Sequence, residues 1–315
     1  MTLERYEPTG RTREFSIHDT GALQVRLLPG HATEEEVMRR LFVGFCSTWG
    51  VEGIDVMNPG PPDLVRAVNI LGLSGQFWTG QQHEGFNLSF AIVNVSRGFT
   101  HQIVRSRFMS FGQEGTRDTN QRNHDNIVPD TIMDNSGLFQ SWCDVQAKIR
   151  EFYDQCIMLG IPFQDASYIL PKSMATDIVV HTNYRELQGF MTNRLSNTMH
   201  WEINEVARRM RALVKSVYPI FGIWLMPACE RAGVCQSQGT LFPPCGKLPL
   251  RPGQSAEINR MGVPYMHGND MNPNTTHGRT ESQRVNYQHE KEVRDNLVRW
   301  AKDYVASSNF KIGGE

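Results

Sequence analysis

No run of the sequence approaches the roughly 18 apolar residues that a bilayer-spanning helix requires, so no transmembrane role is expected. Met1 to Gln24 carry charge and are broken by Pro8 and Gly10, and so lack the apolar core of a secretory signal. Net charge is almost absent: 32 basic residues against 33 acidic ones leave a formal −1. That balance argues against a chain whose main work is wrapping nucleic acid or coating an anionic membrane, and any anion site must be a local arginine cluster. Cysteine is sparse. The six present, Cys46, Cys143, Cys156, Cys229, Cys235 and Cys245, do not resemble a secreted disulfide scaffold in a chain of 315 residues, and a cytoplasmic protein with reduced thiols is expected. There is no internal repeat and no Gly-x-Gly-x-x-Gly fingerprint.

What is present suits a globular enzyme. A hydrophobic content of 39% over 315 residues is enough for one large core or two ordinary ones. Thr33, followed by Glu34, Glu35 and Glu36, caps a helix whose Val37, Leu41 and Phe45 face the core. Leu88 to Val95 is apolar and β-branched, and runs into an Arg/His/Gln-bearing stretch with helical spacing, Arg97 to Arg107. Phe139 to Leu159 repeats apolar residues at helical intervals until Gly160, Ile161 and Pro162 stop it, and a short helix follows from Pro162. Asp177 to Thr182 predicts a strand, Asn183 with Glu186 a capping box, and Trp201 to Val217 a long amphipathic helix. From Gly246 to Arg279 the chain is crowded with Gly, Pro, Asn and His, which predicts an extended arm; Glu281 to Val305 is helical in pattern again.

Two stretches carry chemistry. The first runs from Arg97 through His101, Gln102, Arg105, Ser106, Arg107, Ser110, Gln113, Glu114, Gly115, Thr116 and Arg117 to Asp118. On a continuous helix Arg97, His101 and Arg105 would share a face and converge on one anion, most simply a phosphate; the plainer alternative is a solvated basic face. The second runs from Asn183 through Arg185, Glu186, Gln188, Gly189, Asn193 and Arg194 to Trp201-Glu202-Ile203. Its polar residues interrupt an apolar helix as they do where a helix lines a polar cavity.

Together, and in this order, the two stretches resemble the flavin-dependent thymidylate synthases. That family's hallmark runs Arg-His-Arg, a few residues, Ser, then Gln/Glu-x-Ser-x-Arg-Tyr; here the frame reads Arg105-Ser106-Arg107, Ser110, Gln113-Glu114-Gly115-Thr116-Arg117-Asp118. Downstream, Asp165-Ala-Ser-Tyr-Ile-Leu170-Pro171, Asn183-x-Arg185-Glu-Leu, Arg194-Leu and Trp201-Glu-Ile203 repeat the family's second half with near-identical spacing. The likeness spans about 78 to 246, which implies a methylase domain over 1–246 followed by an arm at 247–315 that ends in a helix.

The resemblance implies an α/β fold with a small, mainly antiparallel sheet flanked by helices and no Rossmann glycine loop. It implies FAD as hydride donor, NADPH to re-reduce it and methylenetetrahydrofolate as carbon donor, so the organic chemistry belongs to cofactors and the protein supplies position and charge. Arg105, Ser106 and Arg107 would hold the flavin, with Glu84, Asn183, Arg185 and Gly189 around it. Gln102, Arg105, the run Gln113, Glu114, Gly115, Thr116, Arg117 and Asp118, together with Ser167 and Arg194, would meet the nucleotide. Arg194 matches the arginine that polarises the pyrimidine and makes C5 electron-rich, a fixed cation aimed at developing charge. A homotetramer is implied too, with no nucleic acid, membrane or metal.

Departures from the pattern fall on the nucleotide side. Ser106 replaces a histidine, Gly115 a serine, Asp118 a tyrosine and Ser167 an arginine; the Glu-His pair is Glu84-Gly85, and Gly189 stands where an amide or imidazole often reaches the flavin. Asp118 would be costly beside a phosphate but suits ribose hydroxyls. UMP is therefore slightly favoured over dUMP, with methylation of UMP for a nucleoside antibiotic as the setting. Other readings are an RNA binder using Arg97 to Arg117 and Arg208 to Arg211, a flavoprotein without methylase activity, and a zinc site of Cys229, Cys235 and Cys245 with His267 or His277, whose spacing fits no common finger.

Overall fold

The computed structural model of the protein describes residues 17–18, 23–34, 36–38, 40, 41, 44, 81–232, 234, 235 and 248. The expected arm and its terminal helix, residue 248 aside, and Phe45 lie outside these. Among the described residues the strands are β1 (Ile17–His18), β2 (Gln24–Leu27), β3 (Asn87–Ser96), β4 (Ser110–Gln113), β5 (Asn126–Ile127) and β6 (Ala175–Asn183). The helices are α1 (Arg97–Ile103), α2 (Asp130–Met133), α3 (Ser136–Met158), α4 (Phe163–Ala166), α5 (Tyr184–Arg194), α6 (Trp201–Val217), α7 (Pro219–Trp224) and α8 (Ala228–Ala232). The fold is α/β, as the resemblance implied: helices accompany a small antiparallel sheet ordered β2-β3-β6-β4, and β1 pairs with β5 in parallel, Ile17 opposite Asn126. The chain divides into two compact units, one holding 91–105 and 111–179, the other 81–90, 106–110 and 180–232.

β3 and β6 alternate as half-buried strands must. Leu88, Phe90 and Ile92 are buried on β3, and Thr176, Ile178, Val180 and Thr182 on β6. The alternation in β3 ends at Asn94, whose φ of 62° is left-handed. Asparagine tolerates that conformation better than most residues, and Asp177 Oδ1 accepts its backbone N–H at 2.8 Å. Val95 and Ser96 are then buried in succession, and Ser96 Oγ caps α1 by accepting the Phe99 N–H at 2.9 Å.

The helix expected over Arg97 to Arg107 stops at Ile103. Phe99 and Ile103 are buried, but one turn further on stand Ser106 and Arg107, which offer no apolar group to extend the face. Arg105 therefore lies in a turn and does not share a helical face with Arg97 and His101, and the chain straightens into β4.

α3 begins at Asn135, whose Oδ1 accepts the Leu138 N–H at 3.1 Å. It ends where Gly160 takes a φ of 78° and the N–H groups of Ile161 and Gly160 reach back to the carbonyls of Cys156 and Ile157, both at 3.0 Å. That is a Schellman stop. α4 then starts directly after Pro162.

In the other unit, Thr33 and Glu36 exchange hydrogen bonds, the Thr33 N–H to Glu36 Oε2 at 2.8 Å and the Glu36 N–H to Thr33 Oγ1 at 3.3 Å, a full capping box for a helix that buries Val37 and Leu41. α6 buries Ile203, Val206, Ala207, Met210 and Val214 along one face. Phe86, Tyr184, Tyr218 and Phe221 form an aromatic cluster with ring centroids between 4.8 and 6.4 Å apart. Tyr184 anchors it by donating its hydroxyl to the Phe221 carbonyl at 2.7 Å. α7 folds back so closely on α6 that a Cβ on Gly222 would lie 2.4 Å from Lys215 Cα.

Candidate active site

The first motif stretch gathers its polar groups around α1 and β4. Arg97, half-buried, donates through Nη2 to the Glu114 carbonyl at 2.7 Å; burial lowers its pKa and the Glu114 carboxylate opposes that shift. Gln113 turns its Nε2 inward, to Thr100 Oγ1 and Thr176 Oγ1, each at 3.2 Å. Glu114 Oε1 accepts from Gln121 Nε2 at 3.2 Å, and Thr119 donates to the Gly115 carbonyl. These contacts pin the backbone of 113–115. Gln102 is half-buried with its Nε2 toward the Gly98 carbonyl, Thr116 is half-buried, and Ser167 Oγ donates to the Gln164 carbonyl at 3.0 Å.

The cations of this stretch behave differently. Arg105 and Arg107 are exposed on either side of half-buried Ser106. Arg117 and Asp118 are exposed neighbours, with Nε to Oδ1 at 3.6 Å, a surface pair with little energetic weight of its own.

The second stretch is held more tightly. Asn183 Oδ1 caps α5 by accepting the Glu186 N–H at 2.9 Å, and Arg185 pairs through Nη1 with Glu84 Oε1. Four residues on, Gly189 is exposed, with nothing within 4 Å of where a Cβ would stand. Arg194 is half-buried at the last position of α5, its Nη1 against Met199 Sδ at 3.5 Å. The turn that follows it is clamped by Asn204, whose Nδ2 donates to the carbonyls of Arg194 at 2.8 Å and Ser196 at 3.0 Å. Asn204 Oδ1 in turn accepts from Arg208 Nε at 2.7 Å, and Arg208 Nη2 reaches Asn197 Oδ1 at 2.8 Å.

Sequence reasoning passed over two residues here. Asn204 is, with Glu202, one of two polar residues buried among the apolar ones of α6, and that intrusion was the available signal. His83, next to Glu84, is fully buried, edge-on to Tyr184 at 5.2 Å; burial pushes its pKa down to about 4, against a raising hydrogen bond from Gln188 and with the Arg185 charge adding to the fall. A lone histidine carried no such message. Cys229 and Cys235 are thiols outside any disulfide, while Cys245, His267 and His277 of the zinc reading lie outside the described residues. A cavity of about 720 Å³ lies along α3 between Arg122, Cys143, Arg150, Asp154 and Met158; none of the expected site residues lines it.

The fold is similar to that of a solved UMP/dUMP methylase, PolB from Streptomyces cacaoi bound with 5-Br dUMP, which superposes with a TM-score of 0.51 at 18% identity, covering 66% of this chain and 96% of that one. The family model described as thymidylate synthase complementing protein matches residues 75–220. A flavin-dependent thymidylate synthase from Pyrococcus abyssi is 31% identical over 224 residues, 68% of this chain and 88% of the relative. Those of Pyrococcus furiosus and Nitratidesulfovibrio vulgaris are 33% and 34% identical, covering 74% and 71% of their lengths. The chain belongs to the flavin-dependent thymidylate synthase family.

Proposed function

We propose that the chain is a nucleotide C5-methylase, transferring a one-carbon unit from methylenetetrahydrofolate to C5 of a uridine 5′-monophosphate nucleotide. The observation that carries the reading is the match to the Pyrococcus abyssi flavin-dependent thymidylate synthase along 88% of its length. FAD, when bound and reduced by NADPH, would supply the hydride. The donor set suits such a group: Arg105 and Arg107 are exposed cations flanking Ser106, Arg185 is oriented by Glu84, Asn183 fixes the start of α5, and Gly189 leaves the helix face open for a planar ring.

Arg194 polarises the pyrimidine, favouring loss of the N3 proton so that C5 becomes electron-rich. A cation resting against Met199 Sδ, on a backbone held by the Asn204 clamp, needs little reorganisation as charge develops. Gln102, Gln113, Glu114, Gly115, Thr116, Arg117, Asp118 and Ser167 serve the nucleotide. Exposed Asp118, beside Arg117, offers a carboxylate acceptor for ribose hydroxyls, and this favours UMP. Methylated UMP would serve a specialised route such as nucleoside-antibiotic biosynthesis; the alternative is a divergent dUMP-converting synthase. The working enzyme is a cytoplasmic homotetramer of a 1–246 methylase domain carrying a 247–315 arm.

Equal UMP and dUMP supplied with FAD, NADPH and methylenetetrahydrofolate, with products read by mass, test both levels. Preference for methylated UMP is expected. Preference for dUMP selects the divergent synthase, and no methylated product from either overturns the reading.

A further inference from the structure

We propose that Arg231 is a further cofactor-binding residue: it brings an uncompensated positive charge to the open Gly189 face of α5, where it favours the reduced, negatively charged form of the flavin over the oxidised one. The assignment rests on the reading that flavin lies on this face.

Helical spacing builds the face. Arg185, Gly189 and Thr192 stand at i, i+4 and i+7 on α5 and so share one side of it. At Gly189 nothing lies within 4 Å of where a Cβ would stand. Thr192 Oγ1 donates to the Gln188 carbonyl at 2.7 Å, and Arg231 Nη2, from α8, donates to the same Thr192 Oγ1 at 3.3 Å. The hydroxyl leans back over the turn 188–192, so the guanidinium that reaches it stands beside the gap at Gly189. Arg185 and Arg231 therefore bracket the open patch. They sit at helix levels about 10 Å apart along the axis, which leaves room for a fused ring between them.

The two cations are not equivalent. Arg185 pairs with the Glu84 carboxylate, which offsets its charge. Arg231 is exposed and has no carboxylate partner among the described residues. Its hydrogen bond goes to a neutral hydroxyl, and Glu230, beside it in the chain, turns to Arg211 at 3.6 Å. The positive charge that Arg231 brings to the Gly189 face is thus its own, undiminished.

Charge decides which form of the cofactor gains. Acceptance of a hydride, two electrons with one proton, leaves the flavin ring one charge more negative, and a protein cation held near it favours that form. The oxidised ring is neutral and gains little. Solvent screens an exposed guanidinium, so the effect is modest. It amounts to about a tenfold gain in affinity for reduced over oxidised flavin, or about 30 mV on a two-electron couple.

The test is a redox titration of the FAD-loaded full chain against a reference dye, for the wild type, Arg231→Gln and Arg231→Lys, with affinity for oxidised FAD measured by fluorescence quenching. Gln keeps a donor for Thr192 Oγ1 but no charge, whereas Lys keeps the charge. The potential should fall by about 30 mV in Arg231→Gln and by less than half of that in Arg231→Lys, with oxidised FAD bound within about twofold of the wild type in both. An unchanged potential in Arg231→Gln, an equal fall in Arg231→Lys, or a general loss of oxidised FAD in Arg231→Gln overturns the assignment. In each of these cases FAD bound by the wild type leaves the methylase reading standing; a wild type that takes up no FAD overturns both.

Discussion

The stretches 97–118 and 183–204 both carry site residues, but they hold them in opposite ways. In the first, the backbone is pinned by Arg97, Gln113 and Glu114 while the cations Arg105 and Arg117 stand exposed in turns. In the second, the guanidinium groups have side-chain partners, Arg185 with Glu84 and Arg194 with the Met199 thioether, and Asn204 holds the Arg194 backbone carbonyl as well. A group that neutralises a phosphate tolerates some freedom, because charge attraction varies slowly with distance. A group that must meet charge developing on one ring does not. The difference sets the exposed cations of the first stretch apart from Arg194, the position proposed for catalysis.

The sharpest way to break that comparison is at Arg194. Arg194→Ala should lower turnover by about 10²- to 10³-fold, on the scale of removing one preorganised donor, while flavin absorbance of the purified protein stays unchanged. Undiminished turnover would remove Arg194 from the mechanism. Asn204→Ala should give a smaller fall in kcat, roughly tenfold, and a loss of about 1–3 kcal/mol in urea unfolding, because two carbonyls and the Arg208 guanidinium lose a partner. Asn204→Asp keeps shape and acceptor but not the donors. If it restored kcat, the clamp on the Arg194 turn would not be what matters.

His83 sharpens the contrast through pH. Its folded pKa of about 4 lies below the ordinary 6.5, so between these values the unfolded chain binds a proton that the folded chain does not. Stability contributed by the neutral ring is fully present above pH 6.5 and is lost as pH falls toward 4, on the order of 3 kcal/mol in all. Urea midpoints at pH 7 and pH 4.5 should therefore differ more for the wild type than for His83→Phe. The smallest effect is expected at Gly189. A methyl group there meets open space, so Gly189→Ala should stabilise α5 by about 0.5–1 kcal/mol in a thermal melt. If the glycine keeps that face clear for the flavin ring, the same variant should bind FAD more weakly; equal FAD affinity would leave the glycine no role at the ring.

Much of this architecture was legible in the sequence because it depends on local rules. Asn183 and Gly160 act where capping chemistry puts them, and the alternation in β6 and the apolar stripe of α6 gave those elements within two residues; the Asn135 cap, which starts α3 three residues ahead of the expected Phe139, was passed over. The end of α1 was not legible from arginine spacing. Spacing by fours says where side chains would lie if a helix continued, and continuation depends on burial, which Ser106 and Arg107 do not provide. His83 was missed because its aromatic partners, Tyr184 and Phe221, lie far along the chain, and Asn204 because its partners, the carbonyls of Arg194 and Ser196, are backbone groups that residue identity does not mark.

Gly222 extends the same lesson to mutational tolerance. With 2.4 Å available, the hydrogen on its α-carbon is the largest group that lets α7 cross Lys215, and Phe221, the neighbouring residue, closes the aromatic wall around His83. Every other amino acid there would force the two helices apart and open that wall. In a scan of all single substitutions scored only by activity, Gly222 would thus be as intolerant as a residue touching substrate, although its whole contribution is to take up no room.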